Sequence, residues 1–287
     1  MSQSEFTEET TVAADVDIES RYLAKLSAAW NAPILPQGGL TAAIVARAMQ
    51  EYLDDVSQPL RSLSTVFTAR VPPGDVTVDV SVLRRGRSMS QLAATLCNAD
   101  GTLGLTATGI FGATRPGFAF TDATVPPCVP PERCPSFRDA PADAEGIIPA
   151  SLWDRVEGRL VRGHSPWVEH ALTTSEQIYW YRFDQTPTLA SGALDPLALV
   201  VLGDTMLGSV AERMGTGLPR WLAPSADLTV TWFAEARGPW ILARNRARHA
   251  GQGYVTLENE LWDGDRLVAL ATQLAFFSFP GKDQPSA

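Results

Sequence analysis

The chain has 287 residues, 45% of them hydrophobic and 19% charged. That is enough apolar material to exclude wholesale disorder and to fill one large domain or two small ones. A net charge of −9 argues against nucleic acid as the main partner, because phosphate binding needs a basic surface.

Three cysteines, Cys97, Cys128 and Cys134, do not make a disulfide framework. The last two stand in a Pro-rich stretch without further zinc ligands nearby, so no metal and no cofactor is expected. Residues 1 to about 10 read as an acidic, solvated tail and lack the apolar core of a secretory signal. The longest apolar run, Leu197 to Leu202, ends at Gly203 and Asp204 and is too short to span a bilayer. A soluble, cytoplasmic protein with no membrane partner is the expectation.

A first strand is expected between Thr11 and Trp30. The turn NAPILPQGG then leads into LTAAIVARAMQEYL, whose apolar stripe (Ile44, Ala48, Met49, Tyr52) has helical spacing. SLSTVFTARV, VTVDVSVLRR, MSQLAATLCN and TLGLTATGIFG follow, separated by PPGD, GRS and ADG turns. Alternation with short Gly/Asp turns reads as four antiparallel strands. Residues 113–150 are Pro-rich and aperiodic, as in a linker or a long covering loop. The same plan then recurs: a strand in HALTTSEQIYWYRF, one long helix DPLALVVLGDTMLGSVAERM, and four strands in DLTVTWFAEAR, WILARNRARH, GYVTLENELW and RLVALATQLAFFSF.

The recurrence has a register. An offset of 165 places Gly251 on Gly86, Trp232 on Phe67 and Met214 on Met49. After the DG turns the offset becomes 164, with Leu267 on Leu103 and Ala271-Thr272 on Ala107-Thr108. A helix that is apolar all round belongs in a core, so each half reads as an antiparallel sheet wrapped around a helix. Joining the sheets edge to edge removes two exposed edges. The fold class expected is α+β, with residues 1–112 as the N-terminal half, 113–150 as the linker and 151–287 as the C-terminal half.

The halves differ at three polar positions. By the offset, Asp204 falls on Gly39, Ser225 on Leu60, and Gln273 on Gly109. A carboxylate among Val200, Val201, Leu202, Met206 and Leu207 must be hydrogen-bonded or poised for chemistry. Taken together, the three residues favour a site in the C-terminal half.

At these residues the sequence resembles the acyl-CoA thioesterase II (TesB-like) enzymes, which have a double hot-dog fold. The resemblance covers roughly Trp30 to Phe279. It rests on PQGGLTAA, FTARVPPGD and VLRRGRSMS in the first half, and on WYR, LGDTMLG, PSADLTVTWF and LVALATQLAFF in the second. It implies hydrolysis of an acyl-CoA to free fatty acid and CoA. By position, Asp204 matches the catalytic aspartate, Gln273 the glutamine, and Ser225 the family's threonine; Thr229 is the alternative hydroxyl. Asp204 would act as base on a water fixed by Ser225 and Gln273. Gly38 and Gly39, opening the first helix, would be the oxyanion hole or only a tight turn. Arg84, Arg85 and Arg87, with Arg244, Arg246 and Arg248, would hold the CoA phosphates or form solvated faces. The acyl chain would lie near Met206 and Trp232. His164, His170 and His249 fall in loops or strand ends and are assigned no role. The competing readings are a non-catalytic acyl-CoA binding protein and a hot-dog enoyl-CoA hydratase; the latter usually pairs Asp with His on the helix, and no His accompanies Asp204. A homo-oligomer, dimer or tetramer, is expected.

Overall fold

Apolar and polar residues alternate along most strands, and turns rich in Gly and Asp reverse the chain between them. The computed structural model describes residues 3–141, 144, 151–216 and 221–279. Among these residues the strands form one twelve-stranded antiparallel sheet. The first half supplies β1 (Ala13–Ala14), β2 (Arg21–Leu26), β3 (Leu60–Phe67), β4 (Gly74–Arg85), β5 (Met89–Asn98) and β6 (Leu103–Gly112). The second supplies β7 (Val156–Arg162), β8 (Glu176–Phe183), β9 (Asp227–Trp232), β10 (Ile241–Gly251), β11 (Tyr254–Asp263) and β12 (Arg266–Phe276). Their order is β1-β2-β4-β5-β6-β3-β9-β12-β11-β10-β8-β7. The halves therefore meet at β3 and β9, where Ser64 pairs with Thr229 and their hydroxyls are 3.2 Å apart. Neither seam strand keeps an open edge. This is the double hot-dog arrangement.

Each half curls around helix. In the first, α2 (Gly38–Leu53) buries Leu40, Ile44, Val45 and Met49 completely. In the second, the expected long helix is two short ones, α3 (Ala198–Gly203) and α4 (Gly208–Met214), interrupted at Asp204–Leu207. The carbonyls freed at the end of α3 have partners from elsewhere in the fold. Gln37 Nε2 donates to the carbonyls of Val201 and Asp204 at 3.0 and 3.1 Å, and Asn259 Nδ2 donates to that of Leu202 at 3.0 Å. Buried side chains thus do for this helix end what water does at an exposed one.

The repeat offset also needs correcting across the helices. From β3 to β5 165 holds, as Met89–Asn98 and Tyr254–Asp263 are 165 apart at both ends, and on the last strand it is 164. Before the helices it is 157, since Arg21 pairs with Asp79 while Ile178 pairs with Arg244. The helices follow this shorter offset. Asp204 contacts Gly39 at the start of α2, and Arg47 forms an ion pair with Asp195 at the other end of the helix contact. Arg47, not Gly39, is therefore the counterpart of Asp204. The longer connection from α4 to β9 absorbs the difference.

Two further expectations change. The solvated tail contains a helix, α1 (Glu5–Glu9), capped by Ser4, and Phe6 is only 1% exposed, packed edge-on against Trp30 and Phe183. Residues 123–134 of the Pro-rich segment lie over the sheet face remote from the helices. There Cys134 joins Ile178, Trp180, Leu242 and Trp262 in a second small core, and the Trp180 indole N–H donates to the Val129 carbonyl at 2.9 Å. No helix among the described residues is long and apolar enough to cross a membrane.

Candidate active site

The interruption between α3 and α4 exposes a carboxylate inside the fold. Asp204 ends α3, and the first turn of α2 from the other half faces it. The Gly39 backbone N–H donates to Asp204 Oδ2 at 2.8 Å. Gln273, on β12, is 3% exposed; its Nε2 donates to Asp204 Oδ1 and to Ser225 Oγ, both at 2.6 Å. Ser225 is placed just before β9 by a bridge to Ala275. The three polar residues singled out in the sequence thus form one hydrogen-bonded chain.

The first half shows why it has no such chain. Gln273's counterpart, Gly109, lies directly under α2, where an added Cβ would stand 2.8 Å from the Met49 sulfur. Leu60, opposite number of Ser225, is buried core. An intact helix packed flush on the sheet leaves no room for a polar side chain between them.

Burial pushes the Asp204 carboxyl up from the usual range near 4 to about 6; the Gly39 and Gln273 hydrogen bonds pull the other way and are outweighed. Asp204 and Ser225 open onto a cavity of about 590 Å³ that Gly38, Phe67, Arg70 and Phe276 also line. Gly38 and Gly39 must be small. A Cβ on Gly39 would lie 2.6 Å from the Val200 carbonyl oxygen and 2.9 Å from Asp204 Cβ.

Two models of known families match the chain, the acyl-CoA thioesterase N-terminal domain over residues 26–112 and the acyl-CoA thioesterase C-terminal domain over residues 131–277. The chain belongs to the acyl-CoA thioesterase family. A thioester hydrolase built as a double hot-dog accordingly agrees with the fold seen in solved structures. A hot-dog protein of unknown function from Alicyclobacillus acidocaldarius superposes with a TM-score of 0.82 at 24% identity, over 98% of this chain and 100% of that one. The acyl-CoA thioesterase II TesB2 of Mycobacterium marinum gives 0.73 at 18% identity, over 97% and 100%. The TesB protein of Mycobacterium avium subspecies paratuberculosis gives 0.71 at 17%, over 96% and 100%. A search of curated proteins returns no match.

Within this acyl-CoA thioesterase, several other expected positions fall elsewhere. Gly39 is not a free oxyanion donor, because Asp204 occupies its N–H. Thr229 faces Ser64 on the seam, away from Gln273. Arg84, Arg85 and Arg87 surround the β4–β5 hairpin, with Arg85 donating to the Leu53 carbonyl at the far end of α2. Sixteen residues of helix, about 24 Å, separate that end from Gly38. Arg244, Arg246 and Arg248 are paired with Glu176, Glu258 and Glu260 across neighbouring strands, so they form a charge ladder in which only Arg248 is exposed. Met206 and Trp232 are core side chains, the latter held by its indole N–H on the Pro196 carbonyl.

Three residues were missed. Gln37 secures the end of α3, Phe67 walls the cavity, and Arg70 supplies its only lysine or arginine among the described lining residues. All three stand within motifs of the resemblance, Gln37 in PQGGLTAA and Phe67 and Arg70 in FTARVPPGD; what Gln37 does is not legible there, because its partner lies in the other half.

Proposed function

We propose that the chain hydrolyses acyl-CoA thioesters at Asp204, with Ser225 and Gln273 positioning the attacking water. The observation that carries this reading is the chain from Asp204 Oδ1 through Gln273 Nε2 to Ser225 Oγ, both links at 2.6 Å. Gln273 uses both N–H donors, so the Ser225 hydroxyl, which accepts one of them, has its own hydrogen left for the water. The water in turn donates to Asp204. A carboxylate held near 6 by burial is ionised at neutral pH, yet basic enough to take a proton in the transition state.

In the reaction the water oxygen bonds to the thioester carbon as Asp204 takes the water's proton. The carbonyl oxygen becomes an oxyanion. The Gly38 N–H, at the first turn of α2 and without a hydrogen-bond partner among the described residues, is its donor, aided by the helix dipole. Collapse breaks the C–S bond, and the CoA sulfur receives the proton from Asp204. Arg70 is the cation that meets the CoA phosphates at the cavity mouth. No histidine lines this cavity among the described residues, which disfavours a hydratase.

Thiol release from a panel of straight and branched acyl-CoAs tests the reading. Wild type should turn over some chain lengths, Asp204→Asn none, and Arg70→Ala should raise KM with little change in kcat. Wild-type rates from Asp204→Asn would overturn it.

A further inference from the structure

At α4, outside the residues that line the thioesterase cavity, three potential metal ligands converge. Glu212 lies on α4, and His164 and His170 lie on the connection between β7 and β8. One ligand atom from each falls within 4.8 Å of the others. Glu212 Oε1 is 2.8 Å from His164 Nδ1, and Oε2 is 3.9 Å from His170 Nε2.

The protonation pattern is the informative part. His170 Nδ1 stands 3.1 Å from the Val168 carbonyl, an acceptor only, so this nitrogen carries the proton. In neutral imidazole Nε2 is then a bare lone pair. That nitrogen is buried, has no hydrogen-bond partner, and points at a carboxylate; the His170 side chain is 10% exposed. Were it protonated instead, 3.9 Å would be too long for a hydrogen bond. A lone pair directed at an anion 3.9 Å away leaves room for a cation between them.

Glu212 is itself braced. Its oxygens accept from the Thr173 hydroxyl at 2.8 Å, the His164 backbone N–H at 2.8 Å and Gln177 Nε2 at 3.1 Å. A ligating histidine whose other ring nitrogen bonds a carbonyl, and a carboxylate oriented by outer hydrogen bonds, are what metal sites require.

We propose that His164, His170 and Glu212 bind a divalent transition metal of the zinc class. Two imidazole nitrogens and one carboxylate oxygen suit Zn²⁺ and not Mg²⁺ or Ca²⁺, which prefer all-oxygen shells. Ligand bonds of about 2.0–2.2 Å at tetrahedral angles put donor atoms roughly 3.3–3.6 Å apart. The 3.9 Å contact closes by a few tenths of an ångström, the 2.8 Å contact of His164 Nδ1 with Glu212 opens as that nitrogen gives up its proton to solvent, and the two rings, now parallel with centroids 4.1 Å apart, rotate to bring both lone pairs to one point. His164, with its side chain 36% exposed, is the entry side and leaves the fourth position to water. The bound ion would tie the β7–β8 connection to α4, the helix that follows the Asp204 break.

The test uses untagged full-length protein, ZnCl₂ and a competing chelating dye at pH 7.5, with metal content measured after dialysis. One Zn²⁺ per chain and a raised melting temperature are expected. His170→Ala should weaken binding by more than about 100-fold, beyond what loss of an outer partner costs, and Thr173→Val by about 10-fold. His249→Ala, on β10 and outside the cluster, should bind as wild type. Glu212→Gln adds a third ligand test if it folds; His170→Ala decides the matter either way. No stoichiometric Zn²⁺ on wild type, or equal affinity in His170→Ala, overturns the proposal. Neither readout depends on thioesterase activity.

Discussion

Asp204 and Gly39 join the two halves of the chain at the site: the carboxylate of one accepts the backbone N–H of the other at 2.8 Å. The general base proposed therefore belongs to the second half and is oriented by the first helix of the first. A carboxylate at a helix N-terminus is ordinarily stabilised as the anion. Here desolvation outweighs that effect and the carboxyl rises to about 6. A base that is ionised at neutral pH without being inert follows from the competition.

This competition fixes a pH dependence. The rate, kcat/KM, should rise with pH through about 6 and fall roughly tenfold per unit below it. Stability should run the opposite way. A group whose folded pKa lies above its unfolded value near 4 binds its proton more tightly when folded. Its contribution is full below about 4 and is lost as pH rises through about 6. The total is at most about 3 kcal/mol. Asp204→Asn should abolish turnover, flatten this part of the melting curve between pH 4 and 7, and match or exceed wild-type stability at pH 7. Thermal melts across that range check the sign.

Ser225 carries a hydroxyl where the family pattern has threonine. In the hydrogen-bonded chain only the oxygen is used. Ser225→Ala should reduce kcat by about 10²-fold, within the range of positioned proton-transfer groups, while leaving KM near wild type. Ser225→Thr should keep kcat within a few-fold and narrow the hydroxyl's rotamers. A steady-state comparison of the two variants separates loss of the oxygen from a change in packing.

The two glycines opening α2 should respond differently to alanine. At Gly39 the new methyl meets the Val200 carbonyl at 2.6 Å and Asp204 Cβ at 2.9 Å, both fixed by the backbone. At Gly38 the nearest atom is the ring tip of Phe67, at 2.9 Å, a side chain with freedom to turn. Gly39→Ala should cost about 1–3 kcal/mol as overpacking does and displace Asp204, lowering kcat. Gly38→Ala should cost less stability and act mainly on the cavity. Denaturant unfolding and turnover of both variants check the order.

Much of this was legible from residues alone. Period-two alternation and the GRS, ADG and DGD turns set out the main strands; Ser225 and Gln273 stand out as polar residues unmatched between the halves, and Asp204 as a carboxylate in an apolar run. The break in the second helix was not legible. DPLALVVLGDTMLGSV has no proline after Pro196, and what satisfies its freed carbonyls is Gln37 and Asn259, distant in sequence. The offset error had the same origin: strands after the helices carry 165, or 164 on the last, and strands before them 157, and nothing local marks where the extra residues enter. The histidine pair was passed over because Glu212 is more than forty residues away from either ring. Phe6 looked solvated because its partners, Trp30 and Phe183, come from other elements.

The corrected offset gives a last prediction. Arg47 occupies the place of Asp204 and pairs with Asp195, whose side chain is 5% exposed and whose other oxygen accepts the Leu197 N–H at 3.0 Å. An ion pair so enclosed is costly to break from one side, because the remaining charge stays buried without its partner. Arg47→Met should destabilise the protein by about 3–5 kcal/mol. The double variant Arg47→Met/Asp195→Asn should recover a large part of that loss, since no uncompensated charge remains. Both variants, assayed where they are still folded, should retain wild-type kcat, because Asp204, Ser225 and Gln273 form their chain at the other end of the helix pair. A double-mutant cycle in urea gives the coupling; additive losses would show that Arg47 acts through its own packing and not through Asp195.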